Sequence, residues 1–264
     1  MLRSMWIFIF IENDSLKGIQ VLKISVCIPM YNESAIIAEN AKRLWDYLEK
    51  NFVAADGTRE YEIIYSNDGS SDGCDKLVKD LNLPGIKVVG YDKNRGKGAA
   101  VKTAMLASSG DVAMFTDADL AYGTEVIAKM VNTFDNNPDS QLVIGSRNLT
   151  KDGYSNYTFI RKLASKAYIM VLCVVGGFRL SDSQCGCKGF RREAVESIFP
   201  RLEVTGFAFD FEALLWASKL GYKITEMPVS IKVHGESKVR IIRDTLKMLR
   251  DIISMKRRIK KTKI

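Results

Sequence analysis

Three short stretches of this chain carry residues that can do chemistry. They are Pro29-Met30-Tyr31-Asn32-Glu33, Ser66-Asn67-Asp68-Gly69-Ser70-Ser71-Asp72-Gly73 and Thr116-Asp117-Ala118-Asp119-Leu120. Asp117 and Asp119 are the most specific pair. Two carboxylates two residues apart can share one hard cation. Mg²⁺ or Mn²⁺ accepts oxygen ligands, bridges to phosphate oxygens and keeps waters. Such an ion offsets charge developing on a diphosphate leaving group. The competing reading of the same residues is a turn or a helix cap ahead of Glu125. An aromatic ring at Tyr31 beside several carboxylates suits a ligand with a flat ring, a sugar and a charged part.

Residues 94–103, Asn-Arg-Gly-Lys-Gly-Ala-Ala-Val-Lys-Thr, have the look of a phosphate loop. Val101 stands where both nucleotide-binding glycine motifs require Gly, which removes most support for a kinase or a dehydrogenase. A tight turn with small residues packed on a sheet is the alternative. The chain has one His, His234, and five Cys, of which Cys185 and Cys187 form C-x-C. That set does not make a structural zinc site, and the thiols read as reduced, as in the cytosol.

The elements that position these residues alternate. Apolar runs at 24–29, 61–66, 86–90, 112–116 and 142–145 read as strands. Helical spacing over 34–52, 72–81, 98–107 and 125–134 fills the gaps, with Asn32 placed to cap the first helix. This alternation predicts an α/β fold with a mainly parallel sheet flanked by helices, and ligands outside the carboxyl ends of the strands. The second half is less regular. Residues 160–175 read as an apolar helix, 186–190 as a short strand, 207–220 as a helix and 223–233 as extended. Residues 240–255 read as an amphipathic helix with Ile242, Leu246, Leu249 and Ile253 on one side.

The 264 residues are 47% hydrophobic with only 5 Pro, enough to bury a core and too apolar for a disordered chain. No apolar run reaches the roughly 18–20 residues of a spanning helix. The run Trp6-Ile7-Phe8-Ile9-Phe10-Ile11 has no small-residue cleavage site after it and does not read as a signal peptide. An extra edge strand, a weak membrane contact and a leader ahead of the true start stay open for it. The net charge of +8 is uneven: residues 238–264 carry +9 and the rest −1. A nucleic-acid enzyme places its cations around the active cleft, so no nucleic acid is expected as partner. A cationic tail suits an anionic membrane surface.

Together the motifs resemble glycosyltransferase family 2, with its GT-A fold. The resemblance rests on Ile28-Pro29-Met30-Tyr31-Asn32-Glu33, Asn67-Asp68-Gly69-Ser70-Ser71-Asp72-Gly73, Asn94-Arg95-Gly96-Lys97-Gly98, Asp117-Ala118-Asp119 and Gly145-Ser146-Arg147. It covers residues 23–238, leaving 1–22 as an extension and 239–264 as a basic amphipathic helix and tail. Asp182-Ser183-Gln184-Cys185-Gly186-Cys187-Lys188-Gly189-Phe190, Phe207-Ala208-Phe209-Asp210-Phe211-Glu212, His234-Gly235-Glu236-Ser237-Lys238 and Arg161 with Ser165 narrow it. They are similar to segments of polyprenyl-phosphate glycosyltransferases, especially dolichyl-phosphate glucosyltransferases.

The resemblance implies inverting transfer of a hexose from a nucleotide-diphosphate sugar to a polyprenyl phosphate at the cytoplasmic face of a membrane. It implies that Pro29, Tyr31, Glu33, Ser66, Asp68 and Ala118 hold the nucleotide. Asp117 and Asp119 would take Mg²⁺ or Mn²⁺. Arg147 and Lys238 would meet phosphates, Asp210 would lie near the acceptor, and Arg161, Ser165 and Lys232 would serve the acceptor phosphate. The family's first Asp in the D-D-G-S motif is Asn67 here. Ala121 replaces a Gln found in many mannosyltransferases, which favours UDP-glucose as donor. The alternatives are a transferase acting on a glycan hydroxyl, a nucleotidyltransferase, and a basic binding module without catalysis.

Overall fold

The computed structural model describes residues 22–150, 177, 179–232, 252 and 254–262. The expected helix over 160–175, most of that over 240–255, and the candidates Arg161, Ser165 and Lys238 lie outside the described residues.

Seven strands form one sheet: β1 (Ile24–Met30), β2 (Tyr61–Asp68), β3 (Ile86–Tyr91), β4 (Val112–Phe115), β5 (Leu142–Ser146), β6 (Lys188–Arg191) and β7 (Ile224–Pro228). Their spatial order is β3-β2-β1-β4-β6-β5-β7. The pairs β1/β2, β1/β4, β2/β3 and β5/β7 are parallel. β6 alone runs the other way, between β4 and β5. The mainly parallel sheet is therefore as the alternation predicts, and the ends of β2, β1 and β4 are neighbours. The direction of β6 decides what surrounds the site. Lys188 lies opposite Phe115, so the segment before β6 arrives at the carboxyl end of β4.

Strand residues alternate between two cores. Ile24, Val26, Ile28, Val112 and Met114 face one side, and Cys27, Ala113 and Phe115 the other, the period-2 pattern of a sheet covered on both faces. The first side is closed by α1 (Ile37–Asn51), α2 (Cys74–Asp80) and α4 (Val126–Asn136). In α1 the buried residues Ile37, Ala41, Leu44 and Leu48 recur at helical spacing. The second side is closed by α3 (Lys97–Ala107), α5 (Arg192–Ile198) and α6 (Phe209–Lys219). Buried Gly98, Ala99, Ala100 and Ala104 let α3 lie close on the sheet. That is the small-residue turn offered above as the alternative to a phosphate loop.

One expectation is corrected. Asn32 does not cap α1. Its backbone is left-handed, its side-chain Oδ1 accepts the Ser71 N–H at 2.9 Å, and the helix begins on the Glu33 carbonyl. The described part of the tail packs on the rest of the chain. Residues 254–261 are helical, and Ile252, Met255 and Ile259 are buried in the second core. Arg258 pairs with Glu203 and Glu212, and Lys219 donates to the carbonyls of Ile259 and Thr262. An apolar helix face satisfies a protein core and a lipid surface equally, so the amphipathic pattern alone does not choose between them.

Docking of this helix predicts that Ile259→Ala costs about 2 kcal/mol or more in stability, as for other buried aliphatic truncations. Urea denaturation measures it. An unchanged midpoint would mean that the helix stands off the core.

Candidate active site

The Asp117 and Asp119 carboxylates sit on a turn fixed from four directions. The Leu120 N–H donates to the Asp117 carbonyl at 3.0 Å, and Leu120 takes a left-handed backbone with φ of 49°. A buried branched residue held there is strained, and neighbouring contacts must impose it. The Ala121 N–H donates to Asp119 Oδ1 at 3.0 Å. Asn40 Nδ2, from α1, donates to the Ala118 carbonyl at 2.9 Å. The Lys232 N–H donates to the Ala121 carbonyl at 2.7 Å.

The charges around this turn are opposed at close range. Lys97 Nζ, from the first residue of α3, lies 2.6 Å from Asp117 Oδ1. Burial alone would lower the Lys97 pKa, but Asp117, followed by Asp210 and Asp119, raises it. Asp119 is pushed up by burial and then by the charge of Asp117, with Glu33 adding to it. Two oxygen-donor carboxylates fit a hard divalent cation by donor type, and the ammonium beside them competes with such an ion for Asp117.

Lys97 is placed by its backbone. The N–H groups of Gly98 and Ala99 donate to the Thr205 carbonyl, at 2.8 and 3.3 Å. Those donors are thereby not offered to a phosphate. Gly96 has φ of +106°, and a Cβ there would lie 2.5 Å from Thr205 O. The loop ahead of α3 is gathered by Asp68, which accepts from Tyr91 Oη, Asn94 Nδ2 and the N–H groups of Arg95 and Gly96 at 2.6–3.0 Å. Asp68 is thus an organiser of this loop in addition to any nucleotide contact.

The segment before β6 forms the other wall. A Cβ on Gly186 would lie 2.7 Å from Asp117 Oδ2, so glycine there leaves the carboxylate in place where any larger residue would displace it. Lys188 is fully buried and donates to the Cys185 carbonyl at 2.6 Å and to Asp210 Oδ2 at 3.1 Å. Gln184 Nε2 also donates to Asp210, at 3.3 Å. Asp210, in the first turn of α6, is held by side chains and is not merely a helix cap. Asp182, at the head of the segment, receives Arg147 Nε at 2.6 Å and Nη2 at 2.9 Å. The expectation of Arg147 as a phosphate-facing cation is therefore amended: its buried fork is committed to a carboxylate.

Tyr31 is exposed, and Glu33 lies within electrostatic reach of Asp119. Pro29 and Ser66 are register partners across β1 and β2. Ser66 is fully enclosed and its Oγ makes no hydrogen bond. Lys232 Nζ pairs with Glu125 at 2.9 Å on the surface. Three residues escaped sequence reasoning as site members: Lys97, Lys188 and Gly186. Lys97 was visible only as part of a loop motif, and Lys188 sits inside a strand where a cation gives no signal.

The model of the family described as "Glycosyl transferase family 2" matches residues 25–199. The chain belongs to this family. It is a glycosyltransferase with the GT-A fold expected above. A dolichyl-phosphate beta-glucosyltransferase of Trichomonas vaginalis is 32% identical to it over 234 residues, 86% of this chain and 69% of that protein. The dolichyl-phosphate beta-glucosyltransferase of Saccharomyces cerevisiae is 29% identical over 248 residues, 87% of this chain and 73% of its own length. Among solved structures, glucosyl-3-phosphoglycerate synthase from Mycobacterium tuberculosis, crystallised with Mn²⁺, UDP-glucose and phosphoglyceric acid, superposes with a TM-score of 0.67. That match covers 89% of this chain and 80% of the other at 18% identity, a likeness of fold.

The Gly186 contact gives a sharp expectation. Gly186→Ala pushes the Asp117 carboxylate aside, and a displacement near 1 Å lowers turnover by about 100-fold. Circular dichroism should stay native while donor-sugar hydrolysis or transfer is assayed. Full activity would show that Asp117 needs no such clearance.

Proposed function

We propose that this glycosyltransferase moves glucose from UDP-glucose to the phosphate of a polyprenyl phosphate of the dolichyl type, with inversion at the anomeric carbon. The observation that carries it is the set of relatives named dolichyl-phosphate beta-glucosyltransferase, about 30% identical over most of the chain. A beta product from an alpha-linked nucleotide sugar requires inversion.

The acceptor phosphate attacks the anomeric carbon from the face opposite the diphosphate. It is anionic at neutral pH, so it needs no general base. Catalysis rests on alignment and on charge stabilisation. Pro29, Tyr31, Glu33, Ser66, Asp68 and Ala118 form the nucleotide side. Asp117 and Asp119 would hold Mg²⁺ or Mn²⁺, which when bound would neutralise charge on the leaving diphosphate. Neighbours of this fold crystallised with UDP carry Mn²⁺ or Mg²⁺. Asp210, tethered by Lys188 and Gln184, borders the acceptor side and orients cations there. Arg161, Ser165 and Lys238 would serve the acceptor phosphate, and so would Lys232, whose solvent-exposed pair with Glu125 is of little strength. Arg147 acts through Asp182, fixing the segment that carries Gly186.

A lipid acceptor would put the reaction at a membrane surface, and its cytoplasmic face is part of the same proposal. Among the described residues no helix is long and apolar enough to cross a membrane. Among the described residues of the tail, Ile252, Met255 and Ile259 face the core, and exposed Lys256, Arg257, Lys260 and Lys261 supply an electrostatic part of the membrane contact.

Thin-layer detection of labelled glycolipid tests the reaction. UDP-glucose with dolichyl phosphate should give product that Asp119→Ala and EDTA both abolish, whereas GDP-mannose should give little. Product only with a glycan hydroxyl acceptor would replace this assignment. Flotation with anionic vesicles should weaken as salt rises and after Lys256, Lys260 and Lys261 are changed to Glu. Salt-independent flotation would contradict an electrostatic contact.

A further inference from the structure

Lys97 lies where transfer chemistry gives it no evident place. Its ammonium is 2.6 Å from Asp117 Oδ1, and a divalent ion takes carboxylate oxygens at about 2.0–2.6 Å. One oxygen does not serve both cations at those distances without strong repulsion between them. Asp117 Oδ2 lies against Gly186, so an ion that ligates Asp117 through its open oxygen, Oδ1, requires the ammonium to leave.

The surroundings permit that departure. The Lys97 backbone is fixed by the bonds of Gly98 and Ala99 to Thr205, so only the side chain moves. Its side chain is 27% exposed and that of Asp117 is 36% exposed, so exchange opens no core. Lys is a compact charge on a flexible four-carbon stem with rotatable donors. Asp210 and Asp119 lie within electrostatic reach of it, so the displaced ammonium stays in an acidic field. Lys188, by contrast, is fully buried and bonded to Asp210 and the Cys185 carbonyl. It is a fixed cation, and Lys97 is the movable one.

We propose that Lys97 is a built-in counter-cation that holds Asp117 while no divalent ion is bound, and releases it when the ion and a nucleotide diphosphate enter, its ammonium then turning to the diphosphate. This rests on the metal-assisted transferase reading above and adds a residue to it. Lys97 competes with the ion for Asp117 and then cooperates with the ion in holding the nucleotide. A purely structural ion pair would behave oppositely, since removing it would disorder Asp117 and weaken the ion.

The sign of the change in Mn²⁺ affinity decides between the two. Mn²⁺ binding is followed by the electron-paramagnetic signal of the free ion, without any sugar donor, for the wild type, Lys97→Met and Lys97→Arg. Without nucleotide, Lys97→Met should bind Mn²⁺ tighter by up to about fivefold, the scale of one partly exposed ion pair. Lys97→Arg should stay near the wild type. With Mn²⁺ saturating, calorimetry should show UDP bound more weakly by Lys97→Met. Equal or weaker Mn²⁺ binding by Lys97→Met, while Asp119→Ala binds none, overturns the counter-cation role and leaves the transferase reading standing. No Mn²⁺ binding by the wild type even with UDP overturns both. Should Lys97→Met fail to fold by circular dichroism, Lys97→Gln is read in the same way.

Discussion

Like charge crowded at the end of β4 is the constraint to which the rest of the site answers. Asp117 and Asp119 stand two residues apart on one strained turn, and Glu33 and Asp210 add to the same negative field. Carboxylates held this close repel unless cations neutralise them. The fold supplies cations from three elements: Lys97 from the start of α3, Lys188 from β6, and Arg147 after β5, which anchors the adjoining segment through Asp182. For the buried pairs Arg147–Asp182 and Lys188–Asp210, removing one member leaves an uncompensated charge and costs about 3–5 kcal/mol. The acidic cluster and its cations therefore depend on one another.

This charge arrangement depends in turn on close approach of backbone segments. Loop 204–206 must reach the α3 N-terminus to place Lys97, and glycine at 96 and 98 leaves it room. The segment before β6 must lie against Asp117, and Gly186 leaves room there. The antiparallel entry of β6 follows the same logic. A parallel strand in that slot would bring its other end to the site and leave Asp210 without Lys188.

Much of this was legible in the sequence. Apolar runs separated by helical spacing mark β1 to β5 and α1 to α4 closely, because a buried parallel strand has little other use for continuous Val and Ile. Asp117 and Asp119 stand out for their spacing at a strand end. The direction of β6 was not legible, because a long connection from Ser146 to Lys188 permits either sense. Lys97 and Lys188 were hidden for another reason: each is defined by a carboxylate distant in sequence, Asp117 or Asp210. Arg147 has the residue type of a phosphate ligand, and only packing shows that Asp182 claims it. The apolar face of residues 252–259 reads alike for lipid and for protein.

The proposed role of the strand-end carboxylates is to hold a divalent ion that a nucleotide diphosphate shares. Calorimetric titration of the wild-type protein with UDP, in Mn²⁺ and again in EDTA, tests it most directly. Shared coordination predicts UDP affinity in Mn²⁺ at least about tenfold above that in EDTA, the 1.4 kcal/mol scale of one charge-assisted contact. Equal affinity in the two buffers would contradict it.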